Sequence, residues 1–498
     1  SVEDINAKLA SISDLNAQIL KTPNADDDGT KANLLDQRDE LVRQLSEKLE
    51  IKTVNQDNGT VQINLTNGQS LVLPGSYASL SVVNGDPDPQ NTGIQLKLGQ
   101  ATTMLPNGSF GGELGGYFTS RDTISATQNE LGQLSLAFAD AMNTQNKLGM
   151  TLNNELGKDL FLLPSSSGMA YSSNTGTASI TANVSSGDAK NLTPNNFEVT
   201  YTATGVDISI LDGNTKTSVY NNAVASYPAT INLANYGLTL DLSAGANPDD
   251  KFLIQPTHNA ALTISTVTSR PEDLAMASPL QLKSDSNNYS SATIKLDKIS
   301  DSSSFTSSTL ILSAPHKIVI NDTGGYDIYD GSSPTAVLLG TATAGSNIMS
   351  NASFTNPTYD PGFDLSISGK VTPGDVFFIS FNNNGFSDNT NGLALAGLQT
   401  SDMVRKGNSL AVDNKMTFNE AFSSTLTSVG TKVSSYKTST AAADAKLKQS
   451  QELHESVAGV NLDEEASNLV RYQQAYAASA KVITAARDTF DALLSAVR

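Results

Sequence analysis

Three histidines, fifty acidic side chains and no cysteine are the raw material for chemistry in this 498-residue chain. His258, His316 and His454 stand far apart and none falls in an H-E-x-x-H pair, so each reads as an ordinary side chain rather than a metal ligand. The run N-A-D-D-D-G places Asn24, Asp26, Asp28 and Gly29 at positions 1, 3, 5 and 6 of an EF-hand-like loop. Such a loop needs a bidentate Glu at position 12, and Leu35 stands there instead, so the run reads as a polar turn. No G-x-G-x-x-G, G-x-x-x-x-G-K or G-x-S-x-G occurs, which removes the usual phosphate cradles and nucleophile elbows. The many carboxylates offer no pair that spacing singles out as an acid/base couple. No catalytic residue, cofactor or metal site is expected, and the chain reads as a non-enzyme.

Composition narrows the partners. Thirty-one basic residues against fifty acidic ones leave a net charge of −19, which argues against nucleic acid and against an anionic membrane surface. No run of eighteen apolar residues occurs, and no secretory signal peptide is visible. Without cysteine there is no disulfide framework, so stability must come from packed cores. The length suggests about three domains.

The elements that dominate are helices at the two ends. From Leu462 to Arg498 there is neither Gly nor Pro. Leu462, Ala466, Leu469, Gln473, Tyr476, Ala480, Ile483, Arg487, Phe490, Leu494 and Val497 follow one another in alternating steps of four and three. That is a heptad seam, the pattern of a helix packing lengthwise on other helices. Tyr476 and Phe490 lie in this row, so they read as packing residues rather than cofactor contacts, and so does their neighbour Tyr472. Asn461 is placed to cap the helix, and Asp463, Glu464 and Glu465 suit its first turn. The seam residues are the expected assembly interface.

The run N-L-D-E-E-A-S-N-L-V-R-Y-Q-Q-A-Y-A-A-S-A-K-V-I-T-A-A-R-D-T-F-D-A-L-L, Asn461 to Leu494, resembles the C-terminal signature of the bacterial flagellar axial family, in the form found where hook joins filament. The stretch N-L-L-D-Q-R-D-E-L-V, Asn33 to Val42, is similar to the same group, as are G-G-E-L-G-G-Y-F-T-S-R-D from Gly111 and N-G-L-A-L-A-G-L-Q-T from Asn391. The resemblance implies a structural subunit of the extracellular flagellum, adapting hook to filament by helical self-assembly through its terminal helices. It implies as partners further copies of the chain, the hook protein, the second hook–filament junction protein, and an export chaperone on the C-terminal helix. It also implies type III export, and a preceding N-terminal segment that carries a first terminal helix and the export signal. Flagellin, the hook protein or the second junction protein remain alternatives, and a secreted β-repeat adhesin is a further one.

Along the chain, Val2, Ile5, Leu9, Ile12, Asn16 and Ile19 predict a helix over 1–21, and a second is expected over 31–50, with Leu34, Leu35, Leu41, Val42, Leu45 and Leu49 inward. Asn58-Gly59 and Asn67-Gly68 predict β-hairpins in a region spanning 51–98. A third helix is expected over 114–145. Within the β-rich stretch, Gly237, Pro248, Asp250, Phe252 and Ile254 recur 125 positions later as Gly362, Pro373, Asp375, Phe377 and Ile379. The expected fold class is multidomain α plus all-β: a discontinuous, coiled-coil-like helical scaffold with two inserted, repeated antiparallel β domains. Its first part is 1–164, the β domains are 165–275 and 276–390, the scaffold returns over 391–460, and the terminal helix is 461–498. Arg270 to Pro279 is the expected link between the β domains.

Overall fold

The computed structural model describes residues 2–22, 29–213, 215–411 and 413–496. The EF-hand-like turn at 24–28 and Val497 lie outside the described residues. Helix α1 (Val2–Lys21) buries Ile5, Leu9, Ile12, Leu15, Asn16 and Ile19, a single stripe at helical spacing. Helix α2 (Thr30–Lys48) packs on it through Leu45, and Leu49 just beyond its end completes the contact. Leu34, Leu35, Leu41 and Val42 are only half-buried. Arg38 takes an inward place instead, donating a hydrogen bond to the Gly59 carbonyl at 2.6 Å.

Asn58-Gly59 and Asn67-Gly68 both sit at turns, with φ of +85° and +88° at the glycines, where a side chain would strain the backbone. The strands they join, Ile51–Asn55, Val61–Leu65 and Ser70–Leu73, form an antiparallel sheet with Ser76–Tyr77. A second sheet, Ser79–Val83, Gly93–Leu98 and Ala101–Leu105, extends the β region beyond its expected end at 98. Four of the five residues of Ala101–Leu105 are exposed, so no alternation of apolar residues marks that strand in the sequence. Both sheets share one core with α1, α2 and the start of helix α3 (Gly112–Lys147).

The chain then builds two β cores. In the first, a five-stranded sheet runs in the order Met169–Ala170, Lys251–Ile254, Asn196–Tyr201, Gly205–Asp212, Thr215–Ala223. It packs with a four-stranded sheet around Phe197, Val199, Ile208, Leu240, Phe252 and Ile254. The short helix α4 (Ala260–Thr263) follows. In the second, a six-stranded sheet runs Leu280–Ser284, Val376–Phe381, Lys317–Ile320, Tyr326–Tyr329, Leu338–Ala342, Ser353–Phe354, and its core holds Ile318, Ile328, Leu365, Phe377 and Ile379.

The residues that recur at 125 positions have matching surroundings. Asp250 is buried and accepts the amides of Thr175 (2.8 Å), Gly176 (3.1 Å) and Asn247 (2.7 Å). Asp375 is buried and accepts the amides of Tyr289 (2.9 Å), Ser290 (3.4 Å) and Thr372 (2.8 Å). Beside them Asn174 brackets both main-chain groups of Lys251, and Asn288 does the same for Val376. Each carboxylate thus pins the loop that enters the strand carrying Phe252 or Phe377.

Three helices complete the chain: α5 (Thr390–Gly397), α6 (Phe418–Ala458) and α7 (Leu462–Ala496). The fold divides into two units, Ser1–Thr425 and Leu426–Arg498. Among the described residues no helix is long and apolar enough to cross a membrane.

Candidate assembly site

Helix α7 starts as its sequence demands. The Asn461 side chain accepts the Asp463 amide at 3.0 Å and its carbonyl accepts the Glu465 amide at 2.9 Å, an N-cap with Asp463, Glu464 and Glu465 in the first turn. Its thirty-five residues make a rod of about 52 Å. Along it Leu462, Leu469, Tyr476, Ile483, Phe490 and Leu494 are between 58 and 80% exposed, and Ala466, Gln473, Ala480 and Arg487 are exposed as well. The contrast with α1 is decisive. There an equivalent stripe, Ile5, Leu9, Ile12 and Ile19, is covered to within 1%. The chain packs such stripes where a partner exists, and on α7 it leaves one open.

The other face that matters lies on α3. Gln133, Asp140, Asn143 and Asn146 are buried, and their steps of seven, three and three put them on one side of the helix. Each bonds to main chain elsewhere. Gln133 donates to the carbonyls of Leu192 (2.7 Å) and Arg405 (3.1 Å). Asp140 accepts the amides of Gly187 (2.9 Å) and Ala189 (3.0 Å). Burial pushes the Asp140 carboxyl above its ordinary range, against the pull of those two amides. Asn143 accepts the amides of Leu160 and Phe161 and donates to the Phe161 carbonyl. Asn146 accepts the Ala275 amide (2.9 Å) and donates to the Lys158 carbonyl (2.8 Å). The 270–279 segment is therefore held against the end of α3. Gln133 and Asp140 dock the first β core on the helix, and Asn143 and Asn146 hold the flanking segments at 158–161 and 275. Sequence reasoning missed these residues, because polar positions on a helix read as a solvent face. The available signal was the alanine-rich stretch from Leu136 to Ala141, which has no large apolar stripe of its own.

The remaining candidates find ordinary surroundings. His258 donates to or accepts from the Asn129 side chain (2.9 Å), His316 lies 2.8 Å from the Ala314 carbonyl, and His454 is exposed on α6. Among the described residues no group of His, Asp or Glu is arranged to hold a metal ion.

Residues 1–161 match the family model described as the helical domain of flagellar hook-associated protein FlgK. Residues 454–496, which span α7, match the C-terminal family of the flagellar basal body rod FlgEFG proteins. Flagellar hook-associated protein 1 of Salmonella typhimurium is 29% identical over 502 residues, covering 99% of this chain and 70% of that protein. The Escherichia coli K12 protein of the same name is 27% identical with the same coverage. A solved structure of the flagellar hook junction protein FlgK from Burkholderia pseudomallei superposes with a TM-score of 0.75 at 26% identity, over 91% of this chain and 83% of that one.

The chain belongs to the flagellar hook-associated protein 1 family. It is a flagellar component from a family of structural proteins, with helices, antiparallel sheets and a long C-terminal helix. The first family match spans α1 to α3 with the two sheets between α2 and α3, the second spans the end of α6 and α7, and the two β cores lie between the matches.

Proposed function

We propose that this chain is a non-catalytic structural subunit of the bacterial flagellum that joins hook to filament, assembling through α7. One observation carries the reading: the segment that matches the rod-protein C-terminal family is a helix whose heptad row is exposed along its described length. Burying a large apolar side chain contributes about 1.5–3 kcal/mol, an upper estimate, so six of them form a substantial latent interface. A rod-type terminal helix suits any axial position. The match of residues 1–161 to the hook-associated family favours the junction.

Leu462, Ala466, Leu469, Gln473, Tyr476, Ala480, Ile483, Arg487, Phe490, Leu494 and Val497 are the assembly contacts in this reading. The neighbours are further copies of the chain, the hook protein on one side and the second junction protein on the other. Heterologous contacts of this kind build open helical arrays. Before assembly an export chaperone covers the same helix, and the chain leaves the cell by the flagellar type III apparatus. Residues 1–164 and 391–460 form the scaffold, and 165–275 and 276–390 are two copies of one β domain inserted into it. Support for the copies comes from Asp250 and Asp375, and from Asn174 and Asn288, which make the same bonds at the same strand of each core. The test replaces Leu469, Ile483 and Phe490 together with Gln, which keeps helix propensity. Assembly should be lost while unfolding of residues 2–425 is unchanged; retained assembly would sink the reading.

A further inference from the structure

Arg405 sits in the short strand Val404–Arg405, which pairs with Lys415–Met416 just before α6. Its side chain is 4% exposed. The guanidinium donates to four main-chain carbonyls: Asn191 (2.9 Å) and Asn235 (2.8 Å) of the first β core, and Ser409 (3.1 Å) and Asn408 (3.3 Å) of its own loop. The Tyr236 ring lies 5.1 Å from its Cζ. All of these partners are neutral. A buried charge without a counter-ion is costly unless dipoles replace its water, and here four carbonyl oxygens and an aromatic face do so. Nε, Nη1 and Nη2 are all engaged at once, which suits a guanidinium, whose five N–H groups are fixed in a plane, and not a point-charge ammonium.

We propose that these four carbonyls and Tyr236 form a guanidinium-binding pocket, filled in cis by Arg405, whose occupancy locks the first β core to α3 and to the hairpin that starts α6. The surrounding bonds converge on the same joint. The Arg405 carbonyl accepts Gln133 of α3, and Gln133 also holds the Leu192 carbonyl. Asn408 accepts the Thr193 hydroxyl (2.8 Å) and donates to the Asp212 carboxylate (2.8 Å). Val404 packs with Ala137 of α3 and Ala421 of α6. Residues 404–408 thus hydrogen-bond to segments 170 to 272 positions away in sequence. Closure of the scaffold and docking of the first β core become one event. The inference does not depend on the flagellar reading.

The experiment is hydrogen exchange on the full chain, comparing peptides at 187–193 and 233–237 with peptides at 317–329 of the second core. Arg405→Ala should speed exchange at the first two by about tenfold or more and leave the third unchanged. Added methylguanidinium should restore protection in this variant, and methylammonium at the same concentration should not. Arg405→Met keeps the stem without the charge and serves if the alanine variant does not fold; it should lose protection in the same peptides. Unchanged exchange in Arg405→Met, or rescue of Arg405→Ala by both cations equally, or by neither, would overturn the proposal.

Discussion

Gly132 offers a sharp test of how α3 carries the first β core. It lies buried in the middle of α3, where Ala would ordinarily stabilise a helix by about 1 kcal/mol. A Cβ built there would stand 1.7 Å from the Thr257 carbonyl oxygen and 2.7 Å from its carbon. Contacts under 3.0 Å essentially never occur, so the atoms would have to part by at least 3.0 − 1.7 = 1.3 Å. The obstacle is main chain, it is fully buried, and its oxygen also accepts the Ala260 amide, so it cannot swing aside like a flexible side chain. Overpacking costs about 1–3 kcal/mol and more when backbone must move, which outweighs the gain in helix propensity. Gly132→Ala should therefore destabilise the first β core by about 2 kcal/mol net. Gly116, in the same helix with nothing within 4 Å, is the control, and Gly116→Ala should stabilise by about 0.5–1 kcal/mol. Differential scanning calorimetry of both variants against the parent reads the effect. A Gly132→Ala chain that melts at or above the parent would refute the close docking of α3 on Thr257.

The two buried aspartates make the β cores acid-sensitive. Asn247 and Thr175 amides hold Asp250 below the ordinary carboxylate range; for Asp375, burial pushes upward but is outweighed by Ser290 and by the amides of Thr372 and Tyr289. A depressed folded pKa contributes stability that is present above the unfolded value, about 3.9, and is lost as pH falls through the folded one. Asp250→Asn and Asp375→Asn should each lower the melting temperature at neutral pH, with the deficit shrinking in acid; a deficit constant down to the acid limit would contradict the linkage. Asn146→Ala leaves the Ala275 amide and the Lys158 carbonyl unpaired and should cost about 1–3 kcal/mol in chemical denaturation. A cost under about 0.5 kcal/mol would mean that water replaces those bonds.

Apolar spacing carried far into the fold. Ile5, Leu9, Ile12 and Ile19 set α1, the two Asn-Gly pairs set the first hairpins, and the P-x-D-x-F-x-I pair marked a recurrence whose Phe and Ile the structure places in the strands starting at 251 and 376. The exposed α7 row was legible because period alone defines it. What stayed hidden depends on bonds between distant segments. Gln133 and Asn146 look like surface residues until Leu192, Arg405 and Ala275 arrive from elsewhere. Arg405 carries no signal of burial, because its partners are carbonyls, which every residue has. The strand at 101–105 escaped for a simpler reason: its exposed Thr102 and Thr103 leave no apolar alternation.

The account turns on α7 as the surface through which the chain assembles. The most direct measurement mixes isolated hooks with the protein, and with the same protein bearing Leu469→Gln, Ile483→Gln and Phe490→Gln. Electron microscopy then measures added length at the distal hook end. The account predicts extension with the parent and none with the variant; equal extension by both, with the variant helix intact by circular dichroism, would contradict it.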